Sequence, residues 1–250
     1  EGEEGRFFVW TFDEIQDILG EDAQPFIAAY GVRPGGNWEG KSIPTLEGTW
    51  EERQSLKGAR QRLFQVRQQR VRPETDDKVL TSWNGLMLAA FAEAGRALER
   101  HDYVRAAERN AAFLLSELRA PDGHLFHTWR AGEAKVRGYL DDYTNVIDGL
   151  LALYQTTHEP RWARAARELT ERMLAHFRAP EGGFFDTSDA HEVLIARPRS
   201  LQDNAVPSGN ATAAFDLLRM SQLAVEPEYE EEALRSMRQV QAVIGQHPLG

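Results

Sequence analysis

Two stretches of the chain decide its fold: DYVRAAERNAAFLLSELRAPDGHLFHT, residues 102–128, and PRWARAARELTERMLAHFRAPEGGFFDT, residues 160–187. Tyr103 of the first copy aligns with Trp162 of the second, both copies contain the run Arg-Ala-Pro, and the offset is 59 residues throughout. Each copy predicts an amphipathic helix that ends at Pro and Gly and continues into a short aromatic segment. The chain therefore contains an internal repeat, which is the first guide to its architecture.

A more apolar helix with a glycine near its start precedes each copy, in SWNGLMLAAFAEAGRAL (82–98) and NVIDGLLALYQTTHE (145–159). A third, degraded copy follows from residue 207. Helical pairs that repeat in this way stack as a solenoid or close into a ring, with the apolar helices inside. We expect an all-α fold of the (α/α)6-toroid type. The loop segments 123–138 and 182–198 are expected to form short β-hairpins at one end.

The composition excludes several classes of function. The chain has 250 residues, 29 Lys and Arg against 39 Asp and Glu, and a net charge of −10. This balance argues against nucleic acid or an anionic membrane as a partner, because both require a dense basic surface. No apolar stretch is long enough for a membrane span. The absence of cysteine excludes disulfides and thiolate metal sites, and we expect neither a metal nor a cofactor.

Three comparable loops precede the apolar helices: RPETDDKVLTSWNG (72–85), RGYLDDYTNVIDG (137–149) and RPRSLQDNAVPSGN (197–210). Each begins with an arginine, continues to one or two carboxylates and ends at a helix start. If the repeat is real, the loops lie side by side at one end of the ring. The positive ends of the helix dipoles would then point into a common mouth.

Carboxylates around a concave site suit general acid/base chemistry such as glycoside hydrolysis. Asp77, Asp142 and Asp203 are the candidate catalytic residues, and Arg72 or Arg137 would orient the substrate. The alternative is that each aspartate simply caps a helix, since Asp is a favoured N-cap residue. Each arginine would then only pair with its neighbouring aspartate.

Histidines and aromatic residues are the other candidates for this mouth. A sugar epimerase requires histidines that exchange a proton near neutral pH, and the seven histidines are scattered along the chain. His127 lies in a predicted hairpin loop and is kept as a candidate substrate-binding residue. Trp83 and Tyr143 either stack against a sugar or pack at helix starts.

Several motifs together resemble the C-terminal region of the spermatogenesis-associated, thioredoxin-domain-containing family: YGVRPGGNWEGKSIP (30–44), RPETDDKVLTSWNGLM (72–87), GYLDDYTNVIDGLLALYQTT (138–157) and DNAVPSGNATAA (203–214). The resemblance covers nearly the whole chain. It implies a toroid similar to N-acylglucosamine 2-epimerases and six-hairpin glycosidases. It also implies that residues 1–250 are one partial toroid domain of about eight or nine helices, with the N-terminal thioredoxin-like domain of the family outside this chain.

The motif positions that the resemblance carries over are expected to line a cavity: Asp76, Asp77, Lys78, Trp83, Asn84, Asp142, Tyr143, Asp203, Ser208 and Asn210. The leading hypothesis is a cytoplasmic, carbohydrate-active domain in which Asp77 and Asp142 form the acid/base pair on a sugar or sugar derivative. The alternative is a scaffold or binding module without catalysis that serves the attached thioredoxin-like domain. Whether the chain is an enzyme stays open at this point.

Overall fold

The computed structural model describes residues 5–192 and 195–246. It divides into two compact units, Glu1–Asp76 and Asp77–Gly250, and each has a hydrophobic core of its own. We describe each unit by itself. The expectation of one domain across residues 1–250 stays a prediction.

The first unit contains four short α-helices and a 3-10 turn at Gly20–Asp22. The helices are α1 (Phe12–Leu19), α2 (Ala23–Ala29), α3 (Trp50–Ser55) and α4 (Lys57–Gln68). Thr11 begins α1 with a capping box, in which its hydroxyl accepts from the Glu14 backbone N–H at 3.1 Å. Thr49 begins α3 in the same way with Glu52. The apolar faces of these helices enclose a core that includes Ile15.

The described residues of the second unit form three consecutive helical pairs, and a short turn joins the two helices of each pair. They are α5 (Thr81–Ala97) with α6 (His101–Glu117), α7 (Leu140–Thr157) with α8 (Pro160–Phe177), and α9 (Gly209–Ala224) with α10 (Pro227–Gln246). Helix α7 is buried on nearly all sides and contacts α5, α6, α8 and α9. The amphipathic helices α6 and α8 bury one face each. The predicted alternation of apolar and amphipathic helices is confirmed in this unit.

The internal repeat is also observed in the backbone hydrogen bonds that follow α6 and α8. An isolated antiparallel bridge joins Arg119 to Leu125 after α6, and another joins Arg178 to Phe184 after α8. Both bridges therefore form at positions 59 residues apart, as in the sequence alignment. The same local turn ends both outer helices.

A three-stranded antiparallel sheet covers one end of the second unit. Its strands are β1 (Val79–Leu80), β2 (Phe126–Arg130) and β3 (Glu133–Arg137), in the order β1-β2-β3. The first expected hairpin is thus observed as β2 and β3. Within 182–198, residues 193 and 194 lie outside the described residues, and the described remainder forms turns and bends without a strand. None of the described helices is long and apolar enough to cross a membrane.

Candidate active site

The N-terminal ends of α5, α7 and α9 adjoin one another. The backbone N–H of Ser82 at the start of α5 donates to the Asp142 carboxylate in α7 at 2.9 Å. At the start of α9, a methyl group placed on Gly209 would lie only 2.9 Å from the Leu140 side chain of α7. The loops that precede these helices therefore meet at one end of the second unit.

A histidine and a buried aspartate form the central contact at this end. His127 lies on β2, and its Nδ1 donates to Oδ2 of Asp142 at 2.8 Å. The Asp142 side chain is fully buried, and it also accepts from the backbone N–H of Ser82 and of Tyr139. Three donors thus hold one carboxylate in place, and that carboxylate in turn fixes the orientation of the imidazole.

The two members of this pair alter each other's proton affinity. The hydrogen bond that His127 donates to Asp142 raises the pKa of His127 above its ordinary value, against the effects of partial burial and of the nearby Lys78. Burial raises the pKa of Asp142, and the hydrogen bond with His127 opposes that change. Neutral His127 keeps its proton on Nδ1, so Nε2 is left as a proton acceptor. No hydrogen bond to Nε2 occurs among the described residues, and the side chain remains partly exposed.

Tyr139 and His191 continue a row of rings from His127. The ring centroids of His127 and Tyr139 lie 5.0 Å apart at a steep angle, and those of Tyr139 and His191 lie 5.1 Å apart in a stack. His191 has both nitrogens engaged, since Nδ1 accepts from the Ser188 backbone N–H and Nε2 lies 3.1 Å from the Arg137 carbonyl oxygen. His191 therefore holds the loop in place, whereas His127 keeps one nitrogen available.

A cavity of about 340 Å³ opens beside Tyr139, between the first residues of α7 and α9. Two carboxylates line it. Asp141 belongs to α7, and Asp186 accepts from both the backbone N–H and the hydroxyl of Ser200. The cavity walls also include Leu140, Gln202, Asn204, Val206, Pro207, Ser208 and Gly209. Polar acceptors and two helix N-termini thus surround a space of the size of a small ligand.

Four predicted site residues have structural roles, and one of them, Ser208, also lines the cavity. Tyr143 is buried in the core, and its hydroxyl accepts from the Leu125 backbone N–H at 3.0 Å. Ser208 is the N-cap of α9, and the buried Asn210 holds Phe184 by hydrogen bonds in both directions. Asp142 is too deeply buried to contact a substrate, so its expected role as a catalytic carboxylate is corrected to that of a positioning residue for His127.

The other predicted residues of the second unit are more exposed. Asp77 forms an ion pair with Arg130, and Asp203 accepts from the Ser208 backbone N–H at 2.9 Å. The Asn84 side chain in α5 donates to the carbonyl oxygen of Leu80, the last residue of β1. Trp83 and Lys78 are exposed. Asp77 and Asp203 therefore do not join Asp142 in a cluster of free carboxylates.

The two arginines predicted to orient the substrate have local partners. The guanidinium nitrogen Nη2 of Arg137 lies 3.8 Å from Oδ2 of Asp122. Arg72 belongs to the first unit, as does Asp76, and its side chain contacts Gln68 and the ring of Phe7. Among the described residues, no group of three or more His, Asp or Glu side chains is arranged to hold a metal ion.

The cavity residue Asp186 was not among the candidates from the sequence, whereas Tyr139 and Asp141 lie in the predicted loop 137–149 and His191 lies in the predicted hairpin loop 182–198. Tyr139 and Asp141 flank Leu140 next to the predicted Asp142, so their position at a helix start was the available signal. Asp186 and His191 lie in the segment expected to form a hairpin, where no regular pattern marks a side chain as inward. The pairing of His127 with Asp142 depends on the β2–β3 hairpin, which returns the chain across 15 residues.

Comparison with known proteins gives relatives for most of the chain. It is 29% identical over 260 residues to spermatogenesis-associated protein 20 of Homo sapiens and 30% identical over 261 residues to that of Mus musculus. Each alignment covers 87% of this chain and 33% of the relative. The chain thus spans about a third of the length of these curated relatives, and the resemblance expected from its motifs is confirmed. No family model matches it.

Several solved structures with a similar fold carry the names of sugar-acting proteins. A cellobiose 2-epimerase from Spirochaeta thermophila DSM 6192 matches with a TM-score of 0.56 and 14% identity, over 68% of this chain and 44% of that one. An unsaturated glucuronyl hydrolase specific for heparin matches with a TM-score of 0.55 and 16% identity, over 68% and 48%. A D-mannose isomerase matches with a TM-score of 0.54 and 15% identity, over 64% and 40%. At these identities the likeness concerns the fold, and the predicted α/α-toroid class is confirmed.

Proposed function

We propose that this relative of spermatogenesis-associated protein 20 binds a sugar beside Tyr139 and transfers a proton within it, with His127 as the general base. One observation carries the proposal: His127 Nδ1 lies 2.8 Å from the fully buried Asp142, while Nε2 stays available. An imidazole oriented by a carboxylate is suited to taking and returning a proton near neutral pH. The epimerase and isomerase among the proteins of similar fold support a sugar as the substrate.

The chemistry follows from the open-chain form of a reducing sugar. Nε2 of His127 removes the proton from the carbon next to the carbonyl group, and the electron pair moves onto the carbonyl oxygen to give an enediolate. The ionised Asp142 stabilises the imidazolium that forms, and the positive ends of α7 and α9 favour the negative oxygen. The imidazolium proton exchanges with solvent before it is returned. Transfer of the hydroxyl proton between the two oxygens, with return of a proton from Nε2 to the former carbonyl carbon, completes an isomerisation. An epimerisation instead requires the enediolate to turn within the site, so that Nε2 returns a proton to the opposite face of the original carbon.

Hydrolysis of a glycosidic bond fits the site less well. That reaction requires two accessible carboxyl groups on opposite sides of the bond. Asp142 is fully buried, and Asp77 is paired with Arg130. The pair that the sequence suggested, Asp77 with Asp142, is therefore not available. Of the two carboxylates that line the cavity, Asp186 accepts two hydrogen bonds from Ser200, so the oriented imidazole of His127 is the better-defined proton acceptor.

The proposal is tested by incubating the chain with D-mannose, D-glucose and cellobiose in D2O and following deuterium at the carbon next to the carbonyl by NMR. We expect incorporation with at least one sugar. His127→Ala should abolish it, and Asp142→Asn should slow it by about 100-fold, the scale seen when a group that orients a catalytic residue is removed. Asp77→Asn is the matched control and should leave the rate unchanged.

Asp142 requires a readout that a purely structural role would not change. The pKa of His127, measured by NMR titration of its ring protons, should fall in Asp142→Asn, because the carboxylate that stabilises the imidazolium is gone. Absence of deuterium incorporation with every sugar, or full activity of His127→Ala, would refute the proposal.

A scaffold without catalysis is the second candidate, and the local roles of Ser208, Asn210 and Tyr143 favour it. In that function the same end of the second unit would bind the thioredoxin-like domain expected in the full-length protein. Titration of that domain with the chain, followed by calorimetry, would then give binding that Asp77→Asn and Arg130→Gln weaken, with no sugar turnover. The cytoplasmic location stays a prediction, which cell fractionation tests.

A further inference from the structure

We propose that a groove in the first unit binds acidic peptide segments that carry an aromatic or branched apolar side chain. The groove has a volume of about 600 Å³. Phe8, Ile43 and Phe64 form its apolar walls, Lys57, Arg60 and Arg67 are its cations, and no carboxylate of the described residues lines it. We call the groove formed by these six residues the aromatic–cationic groove. It lies within the first unit and is independent of the His127 site.

The apolar walls are more exposed than a folded domain usually leaves such side chains. Phe8, Ile43 and Phe64 keep 53%, 47% and 45% of their surface accessible. Single exposed apolar residues are ordinary, but three around one depression form a patch of the kind that marks an interaction site. A partner side chain that enters the groove would remove this apolar surface from water.

The cations of the groove have no carboxylate partner among the described residues. The Arg67 guanidinium lies 5.6 Å from the ring centre of Phe64, and its Nε is buried without a hydrogen bond. Arg60 donates to the Tyr30 hydroxyl at 3.1 Å and to a backbone carbonyl oxygen. Lys57 is exposed. Unpaired cations next to aromatic faces favour an anionic occupant, which would gain charge-assisted hydrogen bonds there.

Charge complementarity selects a peptide over the other anionic occupants. The chain as a whole carries a net charge of −10, so a nucleic acid or an anionic membrane would be repelled at longer range. A second copy of the chain would bring the same negative charge. A short peptide with carboxylates on both sides of one apolar side chain matches the cations and the apolar walls at once. Its charge acts mainly within a Debye length.

The test uses fluorescence anisotropy with the whole chain and a set of labelled heptapeptides. Each peptide has Phe, Trp, Leu or Ile at its centre, flanked by Asp and Glu, and a matched set replaces every carboxylate by its amide. We expect saturable binding of the acidic peptides. The dissociation constants of their amide counterparts should be at least about tenfold higher. Lys57→Glu and Phe64→Ala should each weaken binding about tenfold, and both side chains are exposed, so circular dichroism should show an unchanged fold.

Arg105→Glu is the matched control, because Arg105 is an exposed cation on α6, outside the groove. The dissociation constant of this variant for the acidic peptides should stay within about twofold of that of the parent chain. The proposal fails if no acidic peptide binds, or if Lys57→Glu and Phe64→Ala bind as well as the parent. It also fails if the groove variants instead abolish binding of single-stranded DNA, binding to phosphatidylserine vesicles or self-association of the chain.

Discussion

Among single residues, Asp216 shows how much one buried charge determines the stability of the second unit. It lies in the middle of α9, fully buried, and neither carboxylate oxygen has a hydrogen bond in the described part of the chain. Arg219 lies 3.7 Å away but also pairs with Asp148. Burial, together with repulsion from Asp148, raises the pKa of Asp216 well above its ordinary value. Ionisation of Asp216 therefore opposes folding.

We predict that Asp216→Asn raises the free energy of unfolding at neutral pH by about 1 kcal/mol or more. The folded pKa exceeds the unfolded value of about 4, so ionisation costs nothing below pH 4 and increasingly destabilises the fold as the pH rises towards the folded pKa. The advantage of the variant should accordingly disappear in acid. Urea unfolding at several pH values measures it, and Glu230→Gln on the exposed side of α10 is the control. A gain that stays constant with pH would contradict the prediction.

The sequence identified the right loops but not the roles of their residues. Asp142 and His127 were both candidates, yet their pairing needs the sheet to bring β2 over the start of α7. Tyr143 directly follows Asp142, and nothing in the local pattern distinguishes a core tyrosine from one that contacts a sugar. The burial of Asp216 was not predicted, because a single carboxylate in an apolar helix indicates one exposed position. Burial on all sides is a property of the packing, which sequence spacing does not specify.

At the scale of elements, two glycines set the distance between α5 and α7. A methyl group on Gly85 would lie 2.5 Å from the backbone carbonyl carbon of Asn145. One on Gly149 would lie 2.8 Å from the Leu88 side chain and 2.9 Å from the carbonyl oxygen of Gly85. Close helix packing therefore explains both glycines that the sequence showed in these apolar helices, although Gly149 lies near the middle of α7 and not at its start.

We predict that Gly85→Ala destabilises the second unit by about 1–3 kcal/mol, because the new methyl group forces the two backbones apart. Gly58→Ala makes the same chemical change in α4, where a methyl group meets nothing within 4 Å. The control should be neutral or gain up to about 1 kcal/mol from better helix propensity. Thermal unfolding of both variants by circular dichroism measures the difference. Equal effects of the two substitutions would contradict this explanation.

The order and type of the helices in the second unit followed from periodicity, because the apolar and amphipathic faces repeat regularly. The direction of each face was less predictable. Trp83 and Met87 are large apolar residues four positions apart on α5, a spacing that predicts a buried face, yet both are exposed. The buried side of α5 is instead built from small residues such as Gly85 and Ala92, which permit close approach to α7. Apolar spacing alone cannot tell a packed side from an uncovered one.

For the whole molecule, the two separate cores predict two cooperative regions. The core of the first unit includes Leu63, and that of the second includes Leu150. Leu63→Ala should cost about 2–5 kcal/mol through loss of buried apolar surface and a cavity. Hydrogen exchange with mass spectrometry should then show faster exchange in α1 and α4, with protection in α7 unchanged. An equal loss of protection in α7 would mean that the chain unfolds as one cooperative body.

The turn that ends both α6 and α8 has a consequence for how such a chain acquires new activities. The same bridge closes at Arg119–Leu125 and at Arg178–Phe184, but a β-hairpin follows the first, whereas the described residues between the second and α9 form no strand. The turn is therefore the same in both repeats, and the segment that follows it can vary in sequence and length while the helices keep their packing. Gene duplication followed by change within these insertions would alter ligand preference without refolding the core, and a designer could exchange the insertions at the same positions.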